Sequence, residues 1–233
     1  MANQFLNITM RVFVLTFIFL IFSALSFPFG ISNVTNDSPK IKSNVSDYEL
    51  LYEQMNLDGL INFDTFKAAY KKLNNQNNPV LTVIDFNLPS SKKRMYVLDM
   101  EKKEVLFVSY VAHGKNSGQN YATSFSNRNG SHKSSLGFYR TAGTYIGGNG
   151  YSLQLDGLEE GINDQARSRA IVIHGADYCS EEVIRSSGRL GRSFGCPALP
   201  RELTKPIINT IKGGSLVFIY ADNTDYLAKS EVL

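Results

Sequence analysis

Short runs of β-branched and aromatic residues dominate the chain from Val80 onward, and they constrain its fold more than any other feature. The first three runs, at 80–86, 95–100 and 105–112, are separated by breaks that are typical of hairpin turns. Further runs lie at 136–141, 151–155, 169–174 and 215–220, and helical patterns lie at 181–186 and 201–211. Because these helices do not alternate regularly with the strands, the sequence predicts a mainly β domain over residues 80–233.

The first 46 residues predict export of the chain. Residues 12–25 form an uncharged apolar block after Arg11. As a helix this block would span about 21 Å, which is shorter than a hydrocarbon core of ~30 Å. Ala24 and Ser26 are small residues two positions apart, as a signal-peptidase site requires, so residues 1–26 are predicted to be a secretory signal. The alternative is an uncleaved anchor extending through Phe29, which would be the only membrane contact.

Residues 27–79 predict a linker followed by a short helical segment. Residues 27–46 include a stretch rich in Asn and Ser and are expected to be a flexible linker. Within residues 47–79, Ser46 and Glu49 have the spacing of a capping box that begins one helix. Asn62 is the predicted N-cap of a second helix, whose apolar side carries Phe63, Phe66, Tyr70 and Leu73.

Composition excludes several classes of function. The net charge is +3 and the basic residues are dispersed, so nucleic-acid binding is not predicted. The two cysteines, Cys179 and Cys196, are too few for a disulfide framework, although an exported pair can form one bridge. No paired spacing such as Cys-x-x-Cys indicates a metal site, so neither a metal nor a cofactor is predicted. We expect a monomer.

The strongest indication of chemistry is an apolar run ending in His174-Gly175, followed by a glycine-flanked cysteine, Cys196. A thiol attacks as its thiolate, and a nearby imidazole is a common means of forming one at neutral pH. The Gly175 carbonyl can accept the second ring N–H of His174 and fix the tautomer. The backbone amides of Phe194, Gly195 and Cys196 are expected to face an oxyanion together. If the fold brings His174 to Cys196, the pair predicts a cysteine acyl-transfer enzyme.

A second His-Gly pair precedes a long polar stretch at 114–135. A stretch of this length is either a functional loop or an unstructured surface insertion. His113 ends its own apolar run, so it competes with His174 for the role of base or lines the site. We prefer His174 as the base and expect His113 to line the site or to be structural.

Chain order distinguishes among the known cysteine enzymes. Papain-like and related cell-wall peptidases place the cysteine before the histidine, which is the reverse of the order here. Caspase-like enzymes share this order, but their cysteine follows an apolar strand, whereas Cys196 follows a polar, glycine-rich loop. The segment instead resembles the catalytic motif of the murein L,D-transpeptidases, the YkuD-like enzymes. Their pattern is a strand-borne His, then Ser/Thr-x-Gly-Cys, a helix, glycine and a closing strand.

The resemblance covers roughly residues 80–220 and is closest to a divergent branch with a Gly-Cys-Pro-Ala ending. The matching parts are His174-Gly175, Ser193-Phe194-Gly195-Cys196, the helical pattern at 201–211, Gly213-Gly214 and the strand at 216–219. It implies an L,D-transpeptidase-like β-sandwich or open barrel with a few helices. It also implies an exported enzyme, periplasmic or cell-wall-associated, that acts on L,D-peptide bonds of peptidoglycan stem peptides as a transpeptidase or carboxypeptidase.

The same resemblance implies a role for each residue of the motif. Cys196 would be the nucleophile, His174 its base and Gly175 the orienting carbonyl. The backbone from Phe194 to Cys196 would form the oxyanion hole. The residues expected to contact substrate are Ser193, Phe194, Gly195, Arg192, Arg189 and His113.

Two positions depart from the family pattern. Phe194 stands where His is common, and Ala198 stands where Arg or Asn is usual. Arg189 and Arg192 are expected to replace these side chains, because a guanidinium binds carboxylates bidentately. Two alternatives stay open: a non-catalytic cell-wall-binding domain of the same fold with a Cys179–Cys196 disulfide, and a caspase-like cysteine peptidase.

Overall fold

The computed structural model describes residues 46–73 and 77–230. The predicted signal segment and nearly all of the predicted linker lie outside the described residues. Within residues 46–73 and 77–230, no helix is both long enough and apolar enough to cross a bilayer.

Two helices precede the sheet and begin where their capping residues predict. Helix α1 covers Asp47–Gln54, and the Ser46 backbone N–H donates to the Glu49 carboxylate at 2.8 Å. Helix α2 covers Phe63–Leu73, and Asn62 Oδ1 accepts the first backbone N–H groups of the helix at 2.9 and 3.2 Å. The predicted starts of both helices are therefore confirmed.

Eight strands form one sheet in the part of the chain that the structure describes. In chain order they are β1 (Val80–Asp85), β2 (Met95–Asp99), β3 (Glu104–Ser109), β4 (Gly137–Gly147), β5 (Gly150–Gly157), β6 (Val172–Gly175), β7 (Ala198–Leu199) and β8 (Leu216–Tyr220). Their spatial order is β3-β2-β1-β8-β4-β5-β6-β7. Every pair is antiparallel except β1 with β8 and β6 with β7.

The sheet curls until its two edges almost meet. Just beyond β3, Ala112 forms an isolated antiparallel bridge to Ala198 in β7, the strand at the opposite edge. This bridge makes the sheet a nearly closed barrel and brings the segment after β3 against the segment before β7. The mainly β, open-barrel fold predicted from the sequence is confirmed.

Two of the longer helices pack against the sheet. Helix α4 (Arg201–Ile211) directly follows β7 and contacts β1, β5 and β6. Its buried isoleucines, Ile207, Ile208 and Ile211, each contribute roughly 1.5–3 kcal/mol by removing apolar surface from water. Helix α2 contacts β1 and β8, and its buried residues join the core of the sheet.

Two short helices complete the described chain. Helix α3 (Glu181–Ser187) was predicted, and it ends at Gly188, whose φ of +74° is left-handed. Helix α5 (Thr224–Lys229) was not predicted from the sequence. It begins at Asn223, whose side chain accepts the Tyr226 N–H at 3.0 Å, and it buries the Tyr226 ring.

Candidate active site

His174 lies in β6 with one ring nitrogen bonded and the other unpaired. Its Nδ1 is 3.0 Å from the Gly175 carbonyl oxygen, which is the contact that the sequence suggests for a fixed tautomer. Nε2 has no hydrogen-bond partner among the described residues. It is also not one of the fully buried unpaired side-chain atoms there, which are Thr65 Oγ1 and Thr82 Oγ1. The nitrogen that would act as the base is therefore accessible, although His174 itself is only 4% exposed.

Cys196 lies beside the same strand, one step along its face. β6 and β7 pair His174 with Ala198, so continuing the register by two residues sets Cys196 opposite Val172. The Val172 N–H does donate to Cys196 Sγ at 3.5 Å, and the thiol approaches the Ala170 carbonyl at 3.7 Å. His174 and Val172 project from the same face of the strand. Within the described chain, no hydrogen bond joins Cys196 Sγ to His174, and proton transfer between the two groups requires a closer approach than this arrangement has.

Burial keeps both groups neutral in the resting site. It lowers the pKa of His174 below its usual 6.5; the Gly175 carbonyl partly opposes this shift and Arg201 adds to it. Burial also raises the pKa of the Cys196 thiol above 9, against the smaller opposing effects of the Val172 N–H and the Arg169 charge. At neutral pH the site therefore holds a neutral thiol and a neutral imidazole.

Ser193 and Gly195 shape the turn that presents Cys196. Ser193 Oγ donates to the Cys196 carbonyl at 2.6 Å and accepts the Gly195 N–H at 3.0 Å. Gly195 has a φ of +127°, and a Cβ there would lie 2.9 Å from the Lys133 carbonyl oxygen, so only glycine fits. Because Ser193 Oγ accepts the Gly195 N–H, that amide is already paired in this structure. The Phe194 and Cys196 amides have no acceptor among the described residues.

The 114–135 loop is tied to the cysteine turn and is not a loose insertion. Gly114 bridges Ser193, and the Lys115 N–H donates to the Ser193 carbonyl at 2.8 Å. Ser134 Oγ accepts the Gly114 N–H at 3.0 Å and donates to the Gly195 carbonyl at 3.1 Å. A Cβ on Gly114 would lie 3.0 Å from Gly195 Cα, which shows how closely the two backbones approach. Hydrogen bonds from this loop therefore hold the turn that carries the cysteine.

Arg169 is a site residue that the sequence analysis missed. Its Nη1 donates to the Ser126 carbonyl at 2.7 Å, and its Nη2 donates to the Lys133 carbonyl at 2.6 Å. A Cβ on Gly195 would lie 3.4 Å from Nη2, so the guanidinium lies directly under the cysteine turn. Its charge favours the thiolate of Cys196. Arg169 thus binds several residues of the long loop beneath the cysteine turn, and its positive charge acts on the Cys196 thiol.

His113 does not line the site; of the two roles that the sequence leaves open for it, the structure supports the structural one. Its side chain is completely buried, with Nδ1 2.8 Å from Arg94 Nη2 and Nε2 3.4 Å from the Gly118 carbonyl. Burial and the Arg94 charge lower the pKa of His113 to about 4. The imidazole is therefore structural, and it cannot contact substrate in this arrangement. Its backbone carbonyl accepts the Ser193 N–H at 3.0 Å, so the residue supports the cysteine turn from behind.

The two arginines of the cysteine loop and the second cysteine have other partners. Arg192 Nη1 donates to the carbonyls of Lys115 and Gly118, and Arg189 Nη1 donates to the Leu190 carbonyl. Both side chains are partly exposed. Cys179 is a buried free thiol that donates to the Ala198 carbonyl at 3.2 Å, and Cys196 is also free. Across residues 46–73 and 77–230, no cluster of His, Cys, Asp and Glu could hold a metal ion.

Solved structures similar to this chain include several L,D-transpeptidases. An L,D-transpeptidase from Mycobacterium smegmatis is 14% identical with a TM-score of 0.38, covering 61% of this chain and 59% of that one. The helical cell shape determining protein Pgp2 from Campylobacter jejuni is 14% identical with a TM-score of 0.42, covering 77% and 58%. An L,D-transpeptidase from Stackebrandtia nassauensis is 12% identical with a TM-score of 0.37, covering 75% and 76%. The chain thus spans less than two thirds of the length of the first two.

A comparison with curated proteins found no match. The sequence model of the L,D-transpeptidase catalytic domain matches residues 57–220, which is well over half of the chain and includes both His174 and Cys196. The chain therefore belongs to the L,D-transpeptidase catalytic-domain family.

Proposed function

We propose that this chain is a cysteine acyl-transfer enzyme that acts on the L,D-peptide bonds of peptidoglycan stem peptides. The family implies a peptidoglycan-related function. The observation that supports catalysis by this member is the arrangement on β6: His174 Nδ1 is bonded to Gly175, Nε2 is unpaired, and Cys196 lies one step along the same face. An imidazole that is held at one nitrogen and unpaired at the other supports a role for His174 as the base of a neighbouring thiol.

The first half of the reaction forms a thioester. As Cys196 Sγ attacks the scissile carbonyl carbon, His174 Nε2 takes the thiol proton, and the carbonyl oxygen becomes negatively charged. The Phe194 and Cys196 amides are the free donors for this oxyanion. When the tetrahedral intermediate collapses, the C–N bond breaks and the His174 imidazolium gives its proton to the departing amine. The products of this half are a free D-amino acid and an acyl group on Cys196.

The second half resolves the thioester. An amine of a second stem, or water, attacks the acyl carbon while neutral His174 accepts its proton, and the Cys196 thiolate leaves and is then reprotonated. An amine acceptor gives a cross-link and water gives carboxypeptidase action. Because the same residues serve both outcomes, access of the acceptor to the site decides between them.

Two alternatives receive less support. A Cys179–Cys196 disulfide is required by the non-catalytic cell-wall-binding alternative, but both cysteines are free and Cys179 bonds to the Ala198 carbonyl. The caspase-like alternative is not retained, because the chain belongs to a different family.

Export of the chain is part of the proposal. Residues 1–26 would be a secretory signal or an anchor, residues 27–46 a linker, and residues 47–79 a helical segment in front of a catalytic domain at 80–233. The mature enzyme would act as a monomer in the periplasm or at the cell wall. N-terminal sequencing of the exported protein tests this: a start near Phe27 supports cleavage, and recovery of intact chain in the cytosol contradicts export.

The test of the activity uses the full chain and a disaccharide-tetrapeptide with a terminal D-alanine. We expect release of D-alanine by the wild type and by Cys179→Ala, loss of release in Cys196→Ala, and a strong decrease in His174→Gln. Cys179→Ala is the matched control because it removes the other thiol of the chain. Wild-type rates in Cys196→Ala would refute the mechanism.

A further inference from the structure

Three side chains form a cationic ledge beside the nucleophile: Lys115, His132 and Phe194. Phe194 is 67% exposed although it is a large aromatic residue two positions before Cys196. Its ring centroid lies 4.7 Å from the His132 ring and 4.5 Å from Lys115 Nζ. A backbone hydrogen bond from the Lys115 N–H to the Ser193 carbonyl joins Lys115 to the turn that carries Phe194 and Cys196.

Among the described residues, no acidic side chain forms an ion pair with Lys115. The sequence has no Asp or Glu from Val105 to Leu155 or from Val183 to Arg201, which includes both loops that meet at the cysteine. The nearby Lys133 amine donates to Ser124 Oγ, and Arg192 is bonded to backbone carbonyls. Lys115 therefore lies over the exposed Phe194 ring and has no anionic partner in the part of the chain that the structure describes.

The donor stem brings an anion to this place in the proposed reaction. The leaving D-amino acid is the last residue of the stem, so its α-carboxylate is three bonds from the scissile carbonyl carbon, at most about 4 Å away. When that carbon meets Cys196, the carboxylate must lie close to the cysteine turn. An ammonium on an aromatic surface there gives a charge-assisted contact, and the ring provides apolar cover for the side chain of the D-residue.

We infer that the cationic ledge binds the terminal α-carboxylate of the donor stem, with Lys115 as its counter-ion and Phe194 as its apolar floor. The inference rests on the proposed acyl-transfer function. It makes Lys115 a specificity residue, because a donor whose terminal carboxylate is blocked loses this contact but keeps its scissile bond.

The test compares two donors, a tetrapeptide stem with a free terminal carboxylate and the same stem as its carboxamide. We expect the wild type to favour the carboxylate donor at least tenfold in kcat/KM. A contact to a charged group is worth about 1.5–3 kcal/mol, which corresponds to tenfold or more. Lys115→Gln should lower kcat/KM for the carboxylate donor about tenfold, mainly through KM, and leave the carboxamide donor unchanged. Lys115→Arg should restore part of the preference.

The matched control is Lys133→Gln, which removes the same charge from the same loop and should leave the preference intact. An equal effect of Lys115→Gln on both donors, or no effect, overturns the inference while leaving the acyl-transfer proposal in place. Binding of both donors to Cys196→Ala, followed by NMR, decides the matter without turnover. There the carboxylate donor should bind more tightly than the carboxamide, and adding Lys115→Gln should remove the difference; equal affinities in Cys196→Ala would refute the ledge.

Discussion

Acidification from pH 7.5 to pH 5 is expected to weaken the fold through His113. Burial, and then the charge of Arg94, lower the pKa of His113 from 6.5 to about 4 in the folded chain. Between those values the unfolded chain binds a proton that the folded chain does not, so stability is lost as the pH falls from 6.5 toward 4. At pH 5, which is one and a half units below 6.5, the free energy of unfolding is lower by about 2 kcal/mol. The lowered pKa of His174 acts in the same direction.

The assay is urea unfolding at the two pH values, with His113→Asn as the variant. Asn does not titrate and can still offer an oxygen to Arg94. The free energy of unfolding of the variant should therefore change between pH 7.5 and pH 5 by about 2 kcal/mol less than that of the wild type. NMR of the wild type should show His113 ring signals that do not titrate above pH 5. If the free energy of unfolding of His113→Asn changes with pH as much as that of the wild type, or if His113 titrates near pH 6.5, the loss of stability in acid does not come from His113.

Two further predictions concern the turn that carries the cysteine. Gly195→Ala should destabilise the fold by about 1–3 kcal/mol in urea unfolding, because its Cβ would meet the Lys133 carbonyl and its φ is left-handed. Gly130 also has a left-handed φ but has open space around it, so Gly130→Ala should lower the free energy of unfolding by less than Gly195→Ala. Equal decreases in the two variants would contradict the steric explanation. Arg169→Gln should raise the pKa of Cys196 and shift its alkylation by iodoacetamide to higher pH, with Arg169→Lys intermediate. An unchanged alkylation profile would remove Arg169 from the account of the thiolate.

Local signals were sufficient for most of the fold. The starts of α1 and α2 followed from Ser46 and Asn62, because capping depends on residues only three positions apart. The eighth strand and α4 followed from apolar patterns. β7 and α5 were missed because two and six residues are too short to show a period. β7 forms only because β6 and Ala112 lie on either side of it.

The two His-Gly pairs show where local sequence stops being informative. His113 and His174 both end apolar runs before a glycine, yet one is structural and the other has an unpaired nitrogen. What separates them is Arg94, nineteen positions before His113, which packs against its ring nitrogen. The same limit hid Arg169, whose acceptors lie 36 and 43 positions away in the chain. Contacts of this kind depend on tertiary structure and leave no mark in a local pattern.

The thioester on Cys196 can be detected from the intact mass of the protein after brief exposure to a tetrapeptide stem. We expect a covalent adduct equal to the stem minus its terminal D-alanine, present in the wild type and in Cys179→Ala and absent in Cys196→Ala. The adduct should map to the peptide that contains Cys196 after digestion. Release of D-alanine by Cys196→Ala at the wild-type rate, or an adduct that persists in Cys196→Ala, would show that Cys196 is not the nucleophile.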